Sequence, residues 1–405
     1  MKQFRWHLRI TIFFFLVSLT SIAKAQEPIP TSELFHSDSI DISLITCGPG
    51  KQIYSLYGHT AIRFNNKKTN EDLVINYGMF SFRQKYFIPR FVFGITDYEM
   101  GIVPFSTFIA EYLYEGRWVK EQILDISYED KLAIEKALRQ NYLPENRVYR
   151  YNYFYDNCTT RARNILLSNL SETIIFPKDK HIRTSYRKEI HRWNDNHLWA
   201  RWGNDLLLGL KADASIGFQE KHFLPDQLRQ DFDKTYLIGK GGYKHKLIKE
   251  THWLISPQDT NAIPQTNATS SIFDNPLHII IALSIFFLIM SIIEIIRHKY
   301  TVLGKICDNL TWLTCGLAGL ILTAMVFSRH PTVSLNLQIL ILNPLILGLL
   351  VPSLQRNRNF IILILLCLIL GVAGSFIQDY ASGITLLALI LTVRITLLIK
   401  KKPYN

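Results

Sequence analysis

The chain has 405 residues, 48% hydrophobic, 12% aromatic and 19% charged, with a formal net charge of +12. Of its 45 Lys and Arg residues, four fall in the first 25 positions and eight flank apolar C-terminal runs. Membrane insertion accounts for those twelve, so the basic excess does not mark a nucleic-acid partner. The five cysteines form no CxxC and no His-rich pair accompanies them, so neither a metal site nor another cofactor is expected.

Residues 1–25 carry Lys2, Arg5 and Arg9, an apolar core from Ile10 to Leu19, and the small-residue site Ala23-Lys24-Ala25. That is the pattern of a cleavable secretory signal. Its core is shorter than the roughly 20 residues a membrane span needs, which argues against an uncleaved anchor. Residues 26–255 are then expected to form one exported domain, long enough to bury its own core. The stretch 256–276, "SPQDTNAIPQTNATSSIFDNP", is rich in Pro, Asn, Thr and Ser and reads as a linker. A coil of about 20 residues spans roughly 25 Å, which keeps the domain near the membrane surface.

Within the domain, "SIDISLITCGPG" (39–50) reads as a strand ending in a Gly-Pro-Gly turn, and 59–78 reads as a hairpin. A helix over 104–115, a strand over 117–126, a helix over 127–141 and a helix opened by Cys158 follow. The region 181–235 reads mostly helical, with Trp193, Trp199 and Trp202 spaced along it. If the hairpin turns between Lys67 and Lys68, His59 lies opposite Asn76, and opposed residues on an antiparallel pair have Cβ atoms about 4.5 to 5.5 Å apart. A slip of one residue would bring Tyr77 or Ile75 there instead.

Cys158 follows Asp156-Asn157 at the first turn of its helix, where unpaired N–H groups and the helix dipole favour thiolate over thiol. Arg161 and Arg163, if turned back toward that end, would add to the effect. Cys158 as nucleophile, His59 as base and Asn76 as orienter make a Cys-His-Asn arrangement, with backbone N–H groups around Cys158 as oxyanion donors. Plainer readings stand beside it: Asp156 and Asn157 as caps, Asn76 in a turn, His59 as a surface residue. Cys47 and Cys158 alone face the oxidising side, so a structural disulfide between them is another reading. Cys307, Cys315 and Cys367 fall in or beside apolar runs and read as small apolar residues.

Five apolar runs occupy about 277–296, 309–328, 333–351, 359–377 and 382–399, each near the length of a membrane span. The third contains Asn336, Gln338, Asn343 and Pro344 and could be re-entrant. Arg297, Lys299, Lys305, Arg356, Arg358 and Lys400 to Lys402 fall on one side, and Arg329 on the other. This positive-inside pattern needs an odd number of spans and favours five, with the C-terminus in the cytoplasm. Glu294 is expected to pair with Arg297 or snorkel to the interface, and His330 and Asn336 to lie near the outer face.

"LITCGPGKQIYSLYGHTAIRF", "LVINYGMF" and "YNYFYDNCTTRARNIL", with "SRHPTVSLNLQILILNPL" at 328–345, resemble the lipoprotein N-acyltransferases called Lnb. The resemblance covers most of the chain. It implies an α+β, circularly permuted papain-like (NlpC/P60-type) periplasmic domain, followed by a multi-span α-helical membrane domain in the bacterial inner membrane. It also implies a cysteine acyltransferase with Cys158 as nucleophile and His59 as general base, while Asn76 rests on the hairpin geometry. A membrane phospholipid would be the acyl donor, a thioester on Cys158 the intermediate, and the α-amine of a diacylglyceryl lipoprotein the acceptor. Phe80, Phe82, Phe87, Phe91 and Phe93 could line an acyl slot, with Arg83, Lys85 and Arg90 toward phosphates, or form ordinary core. Residues 192–211 could cover the membrane or pack as an amphipathic helix. Competing readings are a murein endopeptidase or amidase of the parent fold, a phospholipase, and a non-catalytic protein with a Cys47–Cys158 disulfide.

Overall fold

The computed structural model describes residues 39–81, 83, 85–178, 183–260 and 272–399. The expected signal (1–25), most of the linker (261–271), Phe82 and Lys400 to Lys402 lie outside the described residues.

Branched residues at nearly every position of "IDISLITC" suit a strand covered on both faces, and all of β1 (Ile40–Cys47) except Asp41 is buried. It lies mid-sheet among β2 (His59–Asn66), β3 (Glu71–Met79), β4 (Asp97–Pro104), β5 (Val119–Leu124), β6 (Val148–Arg150) and β7 (Ile248–Ile255). The seven strands run in the order β7-β5-β1-β2-β3-β4-β6, each pair antiparallel. A short helix, α1 (Phe87–Val92), precedes β4, and α2 (Phe105–Tyr114) follows it, packing Phe108 and Tyr112 on Ile45, Ala61, Val74 and Val119. α3 (Tyr128–Tyr142) is capped by Ser127, whose hydroxyl accepts from Asp130 N. α4 (Cys158–Ser168) covers the other face, where Thr60 Oγ1 and Thr159 Oγ1 are 3.1 Å apart. α5 (Tyr186–Asn194), α6 (Leu198–Leu207) and α7 (Pro225–Phe232) make the expected helical region.

The hairpin register corrects the expectation by two residues. Ala61, not His59, pairs with Asn76, and the strands end at Asn66 and Glu71. The turn is four residues, not two: Asn66 Oδ1 accepts from Lys68 N at 3.0 Å and Thr69 N at 3.3 Å, and Asn70 takes a left-handed φ of 62°. An Asx-stabilised turn with a left-handed Asn is an alternative to a tight two-residue loop. A shift of two keeps side-chain parity, so His59 and Asn76 remain on one face as diagonal neighbours.

In the C-terminal part, α8 (Pro276–Ile296) and α9 (Val302–Val326) are long and apolar enough to cross a membrane, while α10 (Arg358–Gly374) and α11 (Ile384–Ile399) are shorter. α9 starts at Val302, earlier than the expected 309, behind a Thr301 cap. The third run is not one α-helix. It forms two 3-10 helices, Leu337–Leu340 and Pro344–Leu350, separated where Asn343 caps the second. Non-helical backbone at such depth is tolerated when protein encloses it, and Ile341, Leu342, Ile346 and Leu349 are buried in the main apolar cluster. Gly319 of α9 makes this packing possible, since a Cβ there would sit 2.6 Å from Pro344 N.

Glu294 pairs neither with Arg297 nor with the interface. Arg394 reaches it at 2.8 Å and holds both oxygens of Asp308 at 2.8 and 2.9 Å, a buried cluster joining α8, α9 and α11. At the opposite end, α6 docks the N-terminal domain onto the helices. Gln338 Nε2 donates to Asp205 O at 2.9 Å, Asn336 Nδ2 to Leu206 O at 2.8 Å, Gln378 Nε2 to Leu208 O at 3.2 Å, and Trp202 Nε1 to Ser382 O at 3.0 Å. Residues 192–211 therefore pack on protein, and Asn336 belongs to this joint.

Candidate active site

The site forms where β2 begins, β3 ends and α4 starts. Asn157 caps α4: its Oδ1 accepts from Thr159 N and Thr160 N, both at 2.9 Å, and Thr160 Oγ1 accepts from Asn157 N at 2.8 Å. Its Nδ2 donates to Tyr153 O at 2.9 Å and Phe223 O at 2.8 Å, fixing the cap to two loops. This reciprocal capping sets Cys158 at the first helical position, half-buried, with its own N–H left outside the cap. The oxyanion donors expected around Cys158 thus reduce, within this first turn, to the Cys158 N–H.

His59 is also half-buried, and its Nε2 is 3.0 Å from Asn76 Oδ1. With Nε2 donating to the amide oxygen, Nδ1 is the nitrogen left for the Cys158 thiol, with which the ring also hydrogen-bonds. Burial pushes the thiol up, yet the charge and hydrogen bond of His59, the Thr60 backbone N–H and the Thr159 hydroxyl together bring it down to about 7. Burial likewise depresses the His59 imidazolium, but Cys158 and the Asn76 hydrogen bond outweigh it and raise the ring above its usual value. The two groups favour a thiolate–imidazolium pair.

Cys158, His59 and Asn76 are thus brought together. Arg161 and Arg163 do not help them: Arg161 forms a bidentate pair with Asp156 at 2.6 and 2.8 Å, and Arg163 binds Gln219 O and Asn164. Cys47 and Cys158 are both free thiols, so no disulfide joins them. Burial drives the Cys47 thiol far up, which makes it a packing residue. Among the described residues, no group of three or more His, Cys, Asp or Glu is placed to hold a metal ion.

Sequence reasoning missed Thr60, Thr159 and Gly78. The two threonines after Cys158 were readable as part of a capped first turn. Gly78 left no such signal: its φ is +84°, and a Cβ there would touch Tyr151 at 3.4 Å and Cys158 Cβ at 3.7 Å. Its neighbours Tyr77 and Met79 line separate clefts. One, of about 450 Å³, is walled by Tyr77, Asp156, Arg161 and Ile165. The other, of about 300 Å³, is walled by Met79, Phe80, Tyr98 and Val148.

From the second cleft, Phe80, Phe87 and Phe91 stack in series at 5.8 and 6.3 Å, and Phe91 meets His330 at 6.0 Å, just beyond the end of α9. Arg329 N donates to Phe93 O at 3.0 Å. Of the cations expected toward phosphates, Arg90 instead binds Asp97 and Ile95 O. The fold is that of an α+β domain seated on apolar helices, two of them long enough to cross a membrane, with Cys158, His59 and Asn76 gathered at one site. Family models described as the Lnb N-terminal periplasmic domain and the Lnb transmembrane domain match residues 30–184 and 267–403. No curated protein and no solved structure matches. The chain belongs to the Lnb family of lipoprotein N-acyltransferases, with a periplasmic N-terminal domain and a transmembrane C-terminal one.

Proposed function

We propose that this chain moves an acyl chain from a membrane phospholipid, through a thioester on Cys158, to the α-amine of a lipoprotein's diacylglyceryl-cysteine. The observation that carries this reading is Cys158 at the capped start of α4, beside a His59 ring held by Asn76, in a domain docked on membrane helices. Lnb family membership supports the acceptor class.

The Cys158 thiolate attacks the ester carbonyl, and the tetrahedral oxyanion takes a hydrogen bond from the Cys158 N–H. As the C–O bond breaks, the His59 imidazolium gives its proton to the leaving glycerol oxygen, and lysophospholipid departs. The neutral amine then attacks the thioester carbonyl, His59 accepts a proton from it, and the C–S bond breaks to restore the thiolate–imidazolium pair. Asn76 orients the ring throughout. The aromatic series from Phe80 to Phe91 carries the donor's acyl chain from the membrane side to the second cleft. A nucleophile that opens a helix packed on the strands bearing its base supports a permuted papain-like ancestry.

The same reading places the chain in the bacterial inner membrane with five crossings and a cytoplasmic C-terminus. The 11 residues in the two 3-10 helices, Leu337–Leu340 and Pro344–Leu350, account for roughly 22 Å at about 2.0 Å per residue. They begin at the domain joint, where Gln338 binds Asp205 O, and end where Gly348 abuts Phe360 at the start of α10.

The test incubates the full chain in detergent with a phospholipid bearing a labelled acyl chain, then adds a diacylglyceryl lipopeptide. Mass spectrometry should find the label on Cys158, then on the peptide α-amine. Loss of the adduct to water with the lipopeptide unmodified would mark a phospholipase. No adduct at all would end the thioester reading.

A further inference from the structure

The cleft beside Tyr77 is separate from the aromatic series, and the reaction proposed above leaves it unused. Its volume is about 450 Å³, and its lining includes Tyr77, Asn141, Asp156, Arg161, Asn164 and Ile165. Tyr77 is only 1% exposed, and its hydroxyl has no hydrogen-bond partner among the described residues. Nor does the buried Oδ1 of Asn141. A buried polar group without a partner costs stability, on the order of 1–3 kcal/mol each, unless a ligand supplies the missing bond. One of these two is a donor and the other an acceptor.

Charge narrows what could complete them. Among the described lining residues the one cation, Arg161, is held by both oxygens of Asp156 and lies 3.4 Å over the Tyr149 ring. A guanidinium so engaged has no fork to offer a phosphate. The surface is therefore polar and locally neutral, suited to a chain that offers N–H and C=O groups in turn. A phospholipid headgroup does not fit that description. A polypeptide does.

Placement agrees. Arg161 and Ile165 lie three and seven residues after Cys158 on α4, about 4.5 and 10.5 Å along the helix axis. An extended peptide advances about 3.3 Å per residue, so roughly three residues beyond an N-terminal cysteine at the thioester would lie against this wall. Tyr77 stands next to Gly78, the residue that leaves room at Cys158.

The geometry points to this cleft as the subsite for the acceptor polypeptide, reading the backbone of the residues that follow the diacylglyceryl-cysteine. The inference rests on the acyltransferase reading and adds that the two substrates use different clefts, with the donor on the Phe80 side.

The experiment starts from acyl-enzyme preloaded with a labelled chain and compares transfer to two acceptors: a diacylglyceryl lipopeptide of five residues and diacylglyceryl-cysteine amide. The wild type should prefer the lipopeptide. Ile165→Trp, which fills the cleft, should abolish that preference. Tyr77→Phe, which removes one neutral hydrogen bond, should reduce it about three- to tenfold. Tyr77→Phe should also melt no lower than the wild type, because its hydroxyl has no partner to lose; should Ile165→Trp fail to fold, Tyr77→Phe alone decides. Equal transfer to both acceptors by the wild type, or an undiminished preference in Tyr77→Phe, overturns the subsite. So does a variant effect confined to the rate of loading from phospholipid, which would make the cleft part of the donor site. Wild-type protein that never loads refutes the acyltransferase reading itself, and the subsite with it.

Discussion

Replacing His59 with Ala should shift the titration of Cys158 by more than two pH units. In the wild type the thiol is brought down to about 7, from an ordinary 9.0, although burial by itself raises it. The charge of His59 and its hydrogen bond are the two largest lowering contributions. Without them, the Thr60 N–H and the Thr159 hydroxyl are left to oppose burial, and the thiol returns to 9 or above. At pH 7 the thiolate fraction then falls from about half to about 1% or less, some fiftyfold. A more basic thiolate is intrinsically more nucleophilic, with a Brønsted slope of about 0.4–0.5, which restores about six- to tenfold over two pH units. Alkylation by iodoacetamide at pH 7 should therefore slow by about five- to eightfold. The midpoint of its pH profile should move from about 7 to 9 or higher. The rate is read at Cys158 by peptide mass spectrometry, which separates it from the other four thiols. Asn76→Ala should move the midpoint the same way by less, since Asn76 acts only through the imidazole. A wild-type midpoint near 9, or a His59→Ala midpoint still near 7, would refute the thiolate–imidazolium pair.

Asn157→Ala removes a cap and leaves the buried carbonyls of Tyr153 and Phe223 without their donor. The loss should be about 2–4 kcal/mol in denaturant unfolding, and a loss under about 0.5 kcal/mol would show that the cap does not hold α4. Gly78→Ala imposes a left-handed φ on a residue with a Cβ beside Cys158. It should cost about 1–2 kcal/mol and slow acylation of Cys158 by phospholipid, while an unchanged loading rate would show that the space over Cys158 is not needed. Gln338→Leu removes the donor to Asp205 O and the acceptor for Ala381 N. Protease should then cut sooner near Leu206 and loading from membrane phospholipid should fall, while iodoacetamide reacts with Cys158 as before; loss of that reactivity would instead indicate damage to the domain itself.

Local chemistry made much of this legible. Asn157 was readable as a cap for α4, and the apolar run ending at Gly48-Pro49-Gly50 placed β1. His59 and Asn76 were paired through a wrong register, and the pair survived because the error was even. The missed detail was that Asn66 and Asn70 stabilise a longer turn than Lys67-Lys68 suggests. Arg161 was misread because the Asp156 carboxylate, just before the cap, takes its guanidinium through both oxygens. Hydropathy cannot separate an α-helix from two 3-10 helices, so the run at 333–351 was visible as an apolar segment, and Asn343 and Pro344, where the second 3-10 helix begins, marked it as irregular. Contacts such as Arg394–Glu294 and Gln338–Asp205 join residues a hundred or more positions apart, and no local pattern announces them. The shape of the site at Gly78 likewise depends on β3 and α4 meeting.

The most direct measurement expresses this chain and its Cys158→Ala variant in cells lacking their own lipoprotein N-acylation and reads a reporter lipoprotein's N-terminus by mass spectrometry. The account predicts an added N-linked acyl chain with the wild type and a free α-amine with the variant, both proteins being present and inserted. An N-acylated reporter in cells carrying Cys158→Ala, or none with the wild type, would contradict it.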